Sequence, residues 1–188
     1  MTTNPRSPAN RRGPTDPGRR DRLVEATIAV IAERGLDGLT HRAVASAAGV
    51  PLGSTTYHLG SRDELLATAL RAAAEAYNRR LREFLDGLPA DADLAAALAD
   101  MITHDVGPHR DRTIVEYELY LAALRRPALR PAATAWMSDI TALIARRTDP
   151  VTARAVTAAI DGLLLESLVA DPTPTRADLL PVLRRILP

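Results

Sequence analysis

Proline and glycine cut this chain into pieces that are each about the length of a helix. Breaks fall at Asp86-Gly87-Leu88-Pro89, Gly107-Pro108, Arg126-Pro127, Asp149-Pro150 and Asp171-Pro172-Thr173-Pro174. Proline has no amide hydrogen for a helix interior, and the residue before it is pushed out of the helical region. Between the breaks, apolar residues recur every three or four positions. No segment keeps the period of two that a half-buried strand requires. In the first such segment Leu23, Ala26, Thr27, Val30 and Ile31 share one face, and Gly35 follows as a stop. Hydrophobic residues make up 46% of the chain but aromatic residues only 3%, so the core is aliphatic. Ala and Leu are strong helix formers, which points the same way. The expected fold is all-α, with about nine helices over 17–34, 41–48, 52–58, 62–86, 91–105, 110–125, 128–147, 151–170 and 175–187. No internal repeat and no sustained heptad seam stands out.

Several classes of function are disfavoured at this stage. The chain has no cysteine, which excludes disulfides and thiolate metal sites. No apolar run approaches the roughly 18 residues of a membrane span, so no membrane partner is expected. The first residues carry arginine without an apolar stretch and do not read as a secretory signal. A cytoplasmic protein is the expectation. Catalytic signatures such as HExxH, GxSxG, a P-loop or GxGxxG are absent from the sequence. His104 and His109 stand five apart with Gly107-Pro108 between them, off the spacing of a helical metal pair. Neither an enzyme nor a metal or cofactor is expected.

Charge is uneven along the chain. Net charge is +1, and every basic residue is Arg. Through residue 60 there are eight Arg against five Asp and Glu, while the remainder is slightly acidic. A basic N-terminal third suggests a polyanion contact there. Residues 1–16, with Pro5, Pro8 and Pro14 among Asn, Ser, Thr and Arg, read as a flexible basic arm. Arg11, Arg12, Arg19 and Arg20 in this region can track a groove or remain solvated.

Residues 40–58 read THRAVASAAGVPLGSTTYH. Two short helices meet at a turn containing Gly49, with Ala45 and Ala48 small where they approach. Leu39 and Val44 stand at the N′ and N4 positions of a hydrophobic staple around Thr40 as N-cap. This is the pattern of a helix-turn-helix, whose second helix enters a major groove. A helical hairpin with a surface Ser/Thr run is the alternative. Downstream, Ser61-Arg62-Asp63-Glu64 is a capping box that opens a long helix.

Taken in order, Gly35, Leu39-Thr40, Ala48-Gly49-Val50, Gly53, Tyr57-His58-Leu59 and Ser61-Arg62-Asp63-Glu64-Leu65-Leu66 resemble the DNA-binding region of TetR (tetracycline-repressor-like) regulators over about 19–66. Pro51, Thr55-Thr56 and Leu59 depart from that family's usual residues. Asp161-Gly162-Leu163 resembles its dimerisation helix more weakly. The resemblance implies a helix-turn-helix domain over 17–60 and a helical ligand-binding and dimerisation domain over 61–188. It also implies a homodimeric repressor that binds palindromic operator DNA and is released by a small-molecule effector. By position, Thr40, Arg42, Ser54, Thr55, Thr56, Tyr57, His58 and Arg62 are the expected DNA contacts. Arg42 either pairs with guanine or touches phosphate.

For the second half the expectations are coarser. Tyr77, His104, Glu116, Tyr117, Tyr120 and Trp136 are candidate pocket residues, each of which also reads as ordinary packing. Glu116, Tyr120 and Leu124 share one helical stripe, and Tyr117, Leu121 and Leu124 another; spacing alone leaves open which faces inward. Val156, Ile160, Leu164 and Leu168, on the apolar helix over 151–170, are the expected dimer contacts. Two readings compete: an interaction module without specific DNA binding, and an enzyme with an unrecognised site. A LacI-type helix-turn-helix is disfavoured by the all-helical remainder.

Overall fold

The computed structural model describes residues 18–187. Among them are nine α-helices, one short 3-10 turn and no strand. The helices are α1 (Arg19–Arg34), α2 (His41–Ala47), α3 (Leu52–Leu59), α4 (Arg62–Gly87), α5 (Leu94–Val106), α6 (Arg110–Ala122), α7 (Arg130–Ile144), α8 (Pro150–Val169) and α9 (Arg176–Ile186). The 3-10 turn, Pro127–Leu129, precedes α7. The expected helices stand where periodicity put them, and their ends move by a few residues at most. The helix expected from 91 starts at Leu94 because Asp93 is its N-cap, accepting from Ala96 N–H at 2.9 Å. The basic arm over 1–16 lies outside the described residues.

Helices α1 to α3 form a three-helix unit. Leu23, Val30 and Ile31 of α1, Leu39 before α2, Val44 of α2 and Leu59 of α3 are buried together. Thr40 caps α2 by accepting from Ala43 N–H at 3.1 Å, and the Leu39–Val44 staple is buried on both sides. Gly49, in the turn to α3, has φ +63° with nothing near the position of a Cβ. Backbone conformation, not crowding, therefore calls for glycine there.

The 26-residue α4 joins this unit to the rest. At 1.5 Å per residue it is roughly 39 Å long. Its first turn is locked by the capping box: Ser61 Oγ accepts from Glu64 N–H at 3.2 Å, and Glu64 accepts from Ser61 N–H at 2.6 Å. Leu65, Leu66 and Leu70 continue the core begun by α1 and α3. At the far end the Arg147 guanidinium donates to the carbonyls of Leu88 at 3.1 Å and Pro89 at 2.6 Å. A cation there also offsets the negative end of the helix dipole. Helices α6 and α7 pack on α4, α8 packs on both α7 and α5, and α9 packs on α5 and α8. No helix of the described residues is long and apolar enough to cross a membrane.

Candidate DNA-binding face and effector cavity

The eight residues of α3 divide cleanly between two faces. Thr55 and Leu59, four apart, point into the core. Leu52, Gly53, Thr56 and Tyr57 point outward. Tyr57 is 85% exposed, which is unusual for so large an apolar surface, and its ring meets only the edge of His58 at 4.9 Å. Ser54 and His58 lie at the margin, half-buried. The expectation for Thr55 as a DNA contact is corrected. It is 0% exposed, and its hydroxyl donates to the Leu52 carbonyl at 2.7 Å, so it serves the packing of α3. Leu52 and Gly53 take its place on the outward face. The 3.6-residue period that turns Thr55 and Leu59 inward was the signal that selects them.

Arg42 on α2 is exposed and stands free of any ion pair or hydrogen bond among the described residues. Thr40 is exposed but already accepts from the first turn of α2. Arg62, also exposed, donates to the Leu36 carbonyl at 2.6 Å. It therefore ties the start of α4 to the turn after α1, and only the remaining donors of its guanidinium are open to another partner.

Further along α4, Tyr77, Glu116, Tyr117, Tyr120 and Trp136 converge on one cavity together with Asp161, Met137 and Leu164. Both stripes of α6 contribute, because Glu116, Tyr117 and Tyr120 turn inward while Leu121 and Leu124 are exposed. The walls are aromatic: Trp136 stands edge-on to Tyr77 at 5.7 Å and to Tyr120 at 6.1 Å. The polar groups are acidic. Glu116 is 7% exposed, and Asp161 accepts from the Tyr117 hydroxyl at 3.0 Å. Burial pushes both carboxyls above their usual range and raises the Tyr77 and Tyr117 phenols as well. The void inside is about 20 Å³, room for little more than one water. Asp161 was not among the expected pocket residues; in the sequence it read only as part of a dimerisation signature.

His104 does not join this group. It is exposed and lines an adjoining cavity of about 460 Å³ with Phe84, Met101, His109 and Arg112, its ring 4.3 Å from that of His109. Tyr77 lines both cavities and stands between them.

The expected dimer contacts are also corrected. Val156, Ile160 and Leu164 are buried inside the protomer, and Leu168 is half-buried against the same core. Val156, Ile160 and Leu164 cannot meet a second copy without unpacking the fold, whereas Leu168 keeps part of its surface open. The outward face of α8 carries Val151, Ala155, Ala158, Gly162, Leu165 and Val169, all exposed and spaced alternately by four and three. Val182 of α9 is exposed as well. Helix α8 is thus apolar on two sides, and the expected contacts lie on or beside the inward one.

Known proteins agree with this architecture. The sequence pattern described as "Bacterial regulatory proteins, tetR family" matches residues 23–69, and "Tetracyclin repressor-like, C-terminal domain" matches residues 89–188. The HTH-type transcriptional regulator PksA of Bacillus subtilis is 34% identical over 106 residues, covering 55% of this chain and 49% of that protein. The chain thus spans about half the length of the curated relatives it matches. Solved structures extend much further. The multidrug binding protein EbrR complexed with ethidium is 45% identical over 90% of this chain and 99% of that chain, with a TM-score of 0.81. EbrR complexes with imidazole, proflavin and malachite green are also similar. A TetR family member from Streptomyces coelicolor is 46% identical over 90% of this chain and 98% of that one, with a TM-score of 0.79. With the helix-turn-helix, the long connecting helix and the helical second half all matched, the chain belongs to the TetR family of bacterial transcriptional regulators.

Proposed function

We propose that this protein is a cytoplasmic, effector-released repressor that binds a palindromic operator as a homodimer. The observation that carries the reading is the division of α3, which leaves Thr56 and a bare Tyr57 facing outward while Thr55 and Leu59 anchor the helix from behind; Arg42 is likewise exposed on α2. A helix held rigidly from one side, with hydroxyls and an aromatic on the other, suits insertion in a major groove. Residues 17–60 serve as the DNA-binding domain and residues 61–188 as the effector-binding and dimerisation domain. The exposed α8 stripe supports a two-fold interface, in which each residue meets its own counterpart or a near neighbour.

The effector is an aromatic cation. Support comes from two carboxyls, the buried Glu116 and the half-buried Asp161, among the rings of Tyr77, Tyr120 and Trp136. Carboxylates and aromatic faces both attract cations, the more so away from water. The ligands named with EbrR, among them ethidium and malachite green, are of that class. Release works through α4, which is tied to α7 by Asn78 and Asp139 at 3.2 Å and runs on to the back of α3. A ligand wedged beside Tyr77 shifts α4 and spoils the spacing of the two recognition helices.

Footprinting tests the DNA half of this reading. Two-fold symmetric protection is expected, with half-sites about one helical turn (~34–36 Å) apart. Protection of one asymmetric half-site by a monomer would refute it.

A further inference from the structure

Arg80 already occupies a cation site at the boundary between the two cavities. Its guanidinium meets Glu116 Oε1 at 2.5 Å and lies 5.5 Å from the centre of the Tyr77 ring. A carboxylate on one side and an aromatic ring on the other are the partners proposed above for the effector's charge. Glu116 faces the inner cavity, Arg80 lines the outer one, and Tyr77 borders both. The neighbouring Arg112 pairs more closely with Asp105, at 2.7 Å, and keeps a longer ion pair to Glu116, its Nε 3.9 Å from the carboxylate.

Size makes the same point. A void of about 20 Å³ cannot hold a multi-ring cation, whereas the outer cavity of about 460 Å³ falls in the range of ligand pockets. A ligand seated in the outer cavity already borders Tyr77, and the Glu116 carboxylate it would take is held by the Arg80 guanidinium, which lines that same cavity. Arg80 has somewhere to go, because its side chain is about one-third exposed and borders the larger cavity.

We infer that Arg80 is a built-in stand-in for the effector's cation, which holds the Glu116–Tyr77 site in the ligand-free protein and is expelled when a cationic aromatic ligand enters from the outer cavity. The inference rests on the cationic-effector reading above. It adds a consequence for the lever. Arg80 belongs to α4 and Glu116 to α6, so the exchange removes one of the ties between these helices as the ligand binds. It also makes Arg80 a determinant of affinity with an unusual sign. An internal competitor lowers apparent affinity by the fraction of time the site is taken, so removing it strengthens binding. An arginine whose task is only to brace α4 against α6 has the opposite effect, or none.

Ethidium, whose charge does not titrate in the working range, is the probe. Its binding to the full chain is followed by fluorescence for wild type, Arg80→Gln, Arg80→Lys and Glu116→Gln. The buffer is mildly alkaline, so that Glu116, whose ionisation burial opposes, is charged. Circular dichroism verifies that each variant is folded. Arg80→Gln is expected to bind about 10-fold tighter than wild type, the effect of losing one competing ion pair. Arg80→Lys, which keeps a cation on a flexible stem, should stay near wild type, and Glu116→Gln should bind more weakly than either. If wild type binds ethidium and folded Arg80→Gln binds equally or less well, Arg80 is a brace and the inference is overturned while the cationic-effector reading stands. If neither protein binds ethidium, both fall together.

Discussion

At the scale of single residues, the side chains proposed to read DNA differ in what holds them. Arg42 is exposed, with no ion pair among the described residues, so its guanidinium is free to pair with a guanine edge. Tyr57 presents one hydroxyl and a ring face, better suited to phosphate and sugar. Arg42→Ala is therefore expected to cost about 1–3 kcal/mol at the operator and to relax base preference. Tyr57→Phe should weaken all sequences more evenly, and competition binding against a random duplex separates the two. In the cavity, the groups that matter are titratable. Burial raises Glu116 and Asp161 above the usual carboxylate range, so each remains neutral to a higher pH than an exposed acid. The charged form is the one that attracts a cation. Affinity for a permanently charged aromatic ligand should therefore rise with pH through these raised values and fall in acid, where both groups are neutral. A flat profile measured by calorimetry would mean that neither carboxyl meets the ligand.

At the scale of the helix, α4 depends on how firmly its two ends are set. The Ser61–Glu64 box fixes the end beside α3, and Ser61→Ala should lower stability by about 1 kcal/mol in denaturant unfolding. Hydrogen bonds from the Ser61 backbone and hydroxyl hold Glu64 below its ordinary value. Its contribution is accordingly complete above that ordinary value and is lost as pH falls through the lowered one. Glu64→Ala should melt below wild type at neutral pH, and the two should converge in acid. Elements of this kind were legible in the sequence because their signals are local: a capping box, a staple at Leu39 and Val44, and prolines at the helix boundaries. What stayed hidden needs a third dimension. Thr55 looked like its neighbours Ser54 and Thr56 until the roll of α3 turned it inward. Leu164 and Leu165 are adjacent and alike, yet one lines the cavity and the other is exposed. Periodicity shows that α8 has apolar sides but not which of them a neighbouring helix has already covered.

At the scale of the molecule, release of a palindromic operator requires two copies and a shared response. The exposed stripe from Val151 to Val169 offers a seam of small and branched side chains, and a Cβ at Gly162 would meet nothing within its own chain. Gly162→Arg should therefore leave the protomer folded while placing a charge in the proposed dimer interface, where desolvation is costly. Sedimentation should show a monomer with unchanged helical content and no operator binding; a stable dimer would move the interface to another face. In the proposed mechanism one equilibrium joins the cavity to the DNA-binding face. Linkage makes that coupling reciprocal: an effector that weakens operator binding must itself be weakened by operator, by the same factor. Calorimetric titration of tetraphenylphosphonium, an aromatic cation that does not intercalate, into the free protein and into the protein–operator complex measures this directly. Coupling of about 1–3 kcal/mol is expected, seen as roughly 5- to 150-fold weaker cation binding to the complex. Equal affinity in the two titrations would rule out release by such a cation, because a ligand that does not distinguish the two states cannot release the DNA.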